Sequence, residues 1–162
     1  MSLHFIVDGY NLMKQVPHIL GRREFRDRED FILFLELERP YGSRRNKVTV
    51  VFDGKEDVYL PKINSEIEII FSRGETADER IKRMVEKLNK KNLVVISNDN
   101  EIKYFAKIQG VSVMGAEEFL GRIIKRKRYA SLPEKEKINP ETKEGLEITK
   151  ELGRIWLKKE KS

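Results

Sequence analysis

Three short apolar runs in this chain lead into an aspartate. "HFIVD" closes on Asp8, "VVFD" closes on Asp53, and "VVIS" is followed by Asn98 and Asp99. A fourth acid, Asp78, stands in "GETADERI". Carboxylates gathered in a half-dry site repel one another and raise one another's pKa until a cation neutralises them. An all-oxygen site without histidine or cysteine suits Mg²⁺ or Mn²⁺. A divalent ion held this way lowers the pKa of a bound water and stabilises charge developing on a phosphate, the chemistry of phosphodiester hydrolysis. Two neutral polar side chains near these acids, Asn11 and Ser97, are of a type that orients water, phosphate or a carboxylate.

Alternating elements would position these residues. Strands are expected at 3–8, 47–53, 66–72, 93–97 and 111–114, most of them short, apolar and β-branched as in a sheet covered on both faces. "EIEIIF" alternates at its start and reads as an edge strand. Helical patterns occupy 27–39, 76–90, 99–109 and 115–127; in the second, Ile81, Met84, Val85 and Leu88 recur at helical spacing. This alternation predicts an α/β fold with a mostly parallel five-stranded sheet between two helical layers. Ligands of such sheets bind beyond the carboxyl ends of the strands, where Asp8, Asp53 and Asp99 would share one edge.

Asp78 arrives from a helix start. Thr76 and Glu79 fit a capping box, which gives Glu79 a structural task. Asp78 instead shares the sheet-facing side with Ile81 and Val85, where a charge needs a partner. Each aspartate also has a structural reading, since acids near helix starts cap them or favour the dipole. For Asp99 that reading competes with a cap made by Asn98 and Glu101. Convergence of several acids is what points to a cation. Asp8 and Asp99, on rigid strand ends, are the expected direct ligands, with Asp78 direct or through water and Asp53 in support.

The 162 residues fit one domain, 1–128, and an appendage, 129–162. Composition changes at "YASLPEKEKINP", a linker, before a final helix expected near 141–160. Its stripe of Ile148, Leu152, Ile155 and Trp156 would pack on the domain or on a second subunit, the route to a homo-oligomer. The absence of cysteine excludes disulfides and thiolate metal sites. No apolar stretch reaches the roughly 18 residues of a membrane span, so no membrane partner is expected. No secretory signal is visible, so the expected location is cytoplasmic. Net charge is +6. Arg22, Arg23 and Arg26, then Arg44 and Arg45, then Lys125, Arg126, Lys127 and Arg128 form three basic clusters. One cluster is ordinary solvated surface; three in a cationic chain point to a polyanion such as RNA.

The motifs "IVDGYNLM", "VVFDG", "GETADERI" and "SND", in this order across residues 4 to about 126, resemble the NYN branch of the PIN-like nucleases, and within it the YacP-like family. The resemblance implies a three-layer α/β/α fold and a metal-dependent endoribonuclease acting on single-stranded RNA. Asp8, Asp78 and Asp99 would be its catalytic acids, with Asn11, Asp53 and Ser97 supporting. It also implies a ribosome partner, because YacP-like proteins include ribosome-associated mRNA endonucleases. PIN domains often carry a further acid after the fifth strand. Glu117 and Glu118 stand there, and the first turn of a helix accounts for both equally well, which leaves the metal count open.

Other readings of a strand ending in aspartate fail on single residues. A haloacid-dehalogenase phosphatase needs an acid at position 10, which is tyrosine, and a receiver domain needs paired acids where Gly9 stands. No G-x-x-x-x-G-K-[ST] loop is present. The rival is a non-catalytic RNA- or ribosome-binding module on the same fold.

Overall fold

The computed structural model describes residues 2–54 and 66–136. The chain divides into two compact units, Met1–Gly121 and Arg122–Ser162. The first contains five strands, β1 (His4–Asp8), β2 (Lys47–Phe52), β3 (Glu68–Phe71), β4 (Leu93–Ile96) and β5 (Ser112–Met114). It also contains the helices α1 (Gly9–Leu20), α2 (Arg28–Glu38), α3 (Ala77–Lys87) and α4 (Asn100–Ile108). A fifth helix, α5 (Ala116–Ala130), starts here and continues past Gly121. In the second unit the end of α5 is followed by a 3₁₀ turn, Glu134–Glu136. The helix expected near 141–160 lies outside the described residues.

All strand pairings are parallel, in the order β3-β2-β1-β4-β5. β3 is an edge strand, as its alternation predicts. The sheet is therefore wholly parallel, with helices on both faces.

Strand alternation sorts the core. Ile6 and Val51 point to the layer of α3 and α4, where they join Ala77, Ile81, Val85, Ile102 and Ala106. On the opposite face Phe5 meets Phe119 of α5, and Phe52 meets Phe31 of α2. The sequence pattern assigns no helix to 9–20, yet α1 forms there, burying Leu12 and Val16 and ending at Gly21 in the left-handed conformation. Its inner proline, Pro17, masks the signal.

β1 and β4 are neighbours although far apart in sequence, and the strand order reverses between them. The crevice at such a reversal is where α/β sheets bind ligands. The chain leaves β1 at Gly9, where an added Cβ would stand 2.6 Å from the Phe52 ring and 2.9 Å from the Val51 carbonyl oxygen. Only glycine permits that approach, which seats the start of α1 directly over the end of β2.

Candidate active site

Asp8 ends β1 and is 8% exposed. Ser97, just past β4, is buried, and its hydroxyl lies 3.4 Å from the Asp8 carboxylate while accepting the Asp99 N–H at 3.0 Å. One serine thus ties the ends of the two central strands together. Asn11, in the first turn of α1, accepts the Asn98 N–H at 3.1 Å. Asn98 in turn accepts the Ala116 N–H at 2.8 Å, so its side chain serves the start of α5.

Asp99 is the N-cap of α4. Its Oδ1 accepts from the N–H groups of Glu101 at 2.8 Å and Ile102 at 3.2 Å. Of the two caps weighed, the one made by Asp99 forms and the one by Asn98 and Glu101 does not, because Asn98 is drawn to Ala116. The cap uses Oδ1 and leaves Oδ2 of the same carboxylate for a cation. Asp78, half-buried in the first turn of α3, sits beside it. The capping box of Thr76 and Glu79 is present in both its bonds, 3.2 Å each, and so keeps Glu79 out of the site.

Carboxylate oxygens of Asp78, Asp99 and Glu101 all lie within 4.8 Å of one another. Ligands on opposite sides of one ion at 2.0–2.6 Å are about 4–5 Å apart, so this trio fits a single hard cation. Asp8 stands behind it, more buried and in electrostatic contact with Asp78 and Asp99. Glu117 and Glu118, both exposed on the first turn of α5, are not part of the trio. Glu101 is the candidate ligand that sequence reasoning misses. The signal was its place two residues after Asp99, which a helix start turns back toward the cap.

The electrostatics agree with a cation site. Burial, then the charge of Asp78, pushes the Asp8 carboxyl up to about 6, against the weaker pull of the Ser97 hydroxyl. Asp78 is raised by burial and by Asp99. Lys82 meets this field: its ammonium donates to Glu101 at 2.7 Å, lies 5.7 Å from the Phe105 ring centre, and has its pKa raised by that bond. Asp53 stays at the rim, exposed, and accepts from the Ser72 hydroxyl at 3.1 Å.

Within the first unit the basic clusters are dispersed. The twelve residues of α1 carry the chain about 18 Å away from Asp8 before Arg22. Arg22 stacks on Phe25 and Phe34, Arg23 is exposed, and Arg26 pairs with Asp30 at 3.7 Å. Arg44 and Arg45 are exposed in the turn before β2, at the amino edge opposite the acids. Arg126, Lys127 and Arg128 are exposed in the second unit, with Lys125 half-buried. Arg28, outside the expected clusters, lies over Phe71 and Phe52 at the carboxyl ends of β3 and β2.

Residues 5–159 match the YacP-like NYN domain. The chain belongs to the YacP-like NYN domain family. It is 35% identical over 89 residues to the uncharacterised protein YacP of Bacillus subtilis (strain 168) and spans about half the length of that relative, 52% of each chain being aligned. It is also similar to the crystal structure of Rae1 (YacP) from Bacillus subtilis, with a TM-score of 0.61 and 26% identity over 99% of this chain and 90% of that one. Against the W164L mutant of the same protein the TM-score is 0.57, with 28% identity over 80% of each chain. NYN domains are nuclease-like folds of the PIN-like class, and nucleases of that class as a rule use a divalent metal. The acids of this NYN domain form an all-oxygen donor set suited to one. Among the described residues no helix is long and apolar enough to cross a membrane.

Proposed function

We propose that this NYN domain is a metal-dependent endoribonuclease that hydrolyses single-stranded RNA, with Mg²⁺ or Mn²⁺ as cofactor and mRNA on the ribosome as its working substrate. The observation that carries the reading is the gathering of Asp78, Asp99 and Glu101 within 4.8 Å, with Asp8 buried behind them. When bound, the ion supplies an acidified water and a counter-charge for the phosphate.

The chain's own residues do the rest. Asp78, Asp99 and Glu101 would hold the ion, with Asp8 completing the negative field behind them. Ser97 and Asn11 fix the β4–α4 turn and so set the reach of Asp99. The raised pKa of Asp8 reflects burial and a negative field that a bound cation would relieve. Basic side chains such as Arg28, over Phe71 and Phe52 at the carboxyl ends of β3 and β2, offset the repulsion between acids and phosphates. The working location of such an enzyme is the cytoplasm.

The test is cleavage of labelled single-stranded RNA, free and in translating ribosomes, in Mn²⁺, in Mg²⁺ and in EDTA. Cleavage should require metal and vanish in Asp8→Asn. RNA binding without cleavage in all of these conditions would favour the non-catalytic module instead.

A further inference from the structure

A second polar hollow lies on the opposite flank of α3 from the acids. It measures about 640 Å³ and is lined by the end of β3, by Arg73, Gly74 and Glu75, and by Arg80 and Arg83 of α3. The first turn of α3 is thus two-sided. Asp78 faces α4 and the ion site, while Arg80, two residues on and some 200° around the helix, faces the hollow.

Among the described residues that line it, Arg80 and Arg83 share one acid, Glu75. Glu75 is contacted by the guanidinium of Arg83 and, more loosely, by Arg80 Nη1 at 3.8 Å. Arg80 Nε is shielded from solvent and, among the described residues, has no hydrogen-bond partner. A buried donor on a charged group is costly to leave unpaired. Guanidinium forks match the oxygens of phosphate. Capping the same helix, Thr76 and Glu79 fix its start, so the two flanks hold a constant spacing of about one helix diameter, 10–12 Å.

We infer that the Arg80–Arg83 hollow is a phosphate subsite for the RNA strand, gripping a backbone phosphate further along the strand from the one presented to Asp78. The inference rests on the nuclease reading of the acid site for its ligand, but not for its test. A strand crossing the N-terminal end of α3 meets the acids on one side and, on the other, the part-exposed guanidinium groups of Arg80 and Arg83. Glu75 holds both guanidiniums in place and also weakens the grip, because it repels the incoming phosphate.

The experiment measures binding of a labelled single-stranded RNA in EDTA across a salt series, where no chemistry is needed. Arg80→Gln and Arg83→Gln should each lower affinity and flatten the slope of log affinity against log salt by about 0.7, the value for one phosphate contact on a single strand. Glu75→Gln should strengthen binding, a sign that mere damage to the fold does not produce. Lys107→Gln, exposed near the end of α4, serves as the charge-matched control with an unchanged slope. In metal, Arg83→Gln should raise KM with kcat kept. Unchanged slopes in both arginine variants overturn the inference. So does a rise in melting temperature with inorganic phosphate that the arginine variants lose while their RNA slopes stay put, which marks a small-anion site. Failure of the nuclease reading shows separately, as wild-type RNA binding without cleavage in any metal.

Discussion

Replacing Asp8 by asparagine should stabilise the metal-free protein while destroying its activity. The buried Asp8 carboxyl titrates near 6 instead of 3.8, because burial and Asp78 oppose its charge. At about 1.4 kcal/mol per pH unit, holding it ionised costs the fold about 3 kcal/mol. The sign follows from linkage. Below pH 3.8 the group is protonated in folded and unfolded chains alike and costs nothing. As pH rises through 6 the folded chain must give up a proton it holds more tightly than the unfolded chain does, and the stability is lost. Asparagine has nearly the same volume and still offers the Ser97 hydroxyl an acceptor. In EDTA at about pH 7.5, Asp8→Asn should therefore melt higher by roughly 6–12 °C for a chain of this size, and the gain should shrink toward zero at about pH 4. Saturating Mn²⁺ should reverse the order, since only the wild type gains the full binding energy. Thermal melts at the two pH values, with and without metal, read all of this. An Asp8→Asn variant no more stable than wild type at the higher pH in EDTA, or equally stabilised at both pH values, would refute the argument.

Other substitutions separate the tasks of single residues. Lys82→Met removes the ammonium that competes for Glu101, so Mn²⁺ should bind about tenfold more tightly by calorimetry, a gain of about 1.4 kcal/mol; weaker binding would mean that Lys82 organises the ligands. Asp99→Asn should keep the α4 cap, whereas Asp99→Ala should cost about 1 kcal/mol in denaturant unfolding, with Mn²⁺ affinity lost in both. Gly9→Ala places a methyl group against Phe52 and the Val51 backbone, and overpacking of that kind should lower stability by about 1–3 kcal/mol.

The strands were legible because a fully covered parallel sheet writes itself as apolar runs, and "HFIVD" and "LVVIS" carry nothing else. The edge position of β3 was legible from the alternation in "EIEIIF". Helix α1 was not, because Pro17 and His18 break its apolar period and Asp8, its N-cap residue, reads as the end of the strand before it. Asp78 was legible once the capping box had claimed Glu79. Glu101 was not, because a helix start gives any nearby acid a local task, and only the fold shows Asp99 taking that task itself. The arginines beyond α1 looked close to Asp8 in sequence; a helix of unassigned length stood between. Arg80 and Arg83 carried no signal at all, since alternate polar positions on an amphipathic helix look alike until their neighbours are known.

The serine bridge between Asp8 and the Asp99 turn joins positions 89 residues apart, Asp8 and Ser97, through strands that pair directly. Contacts of such long loop length form late, because their closure entropy must be met before they contribute anything. A chain emerging from synthesis shows Asp8 and then Asp78 well before β4 and α4 exist to bring Asp99 and Glu101 beside them. The order of the strands therefore acts as a timing device: on the nuclease reading, the ion site cannot assemble before β4 and the start of α4 have been made.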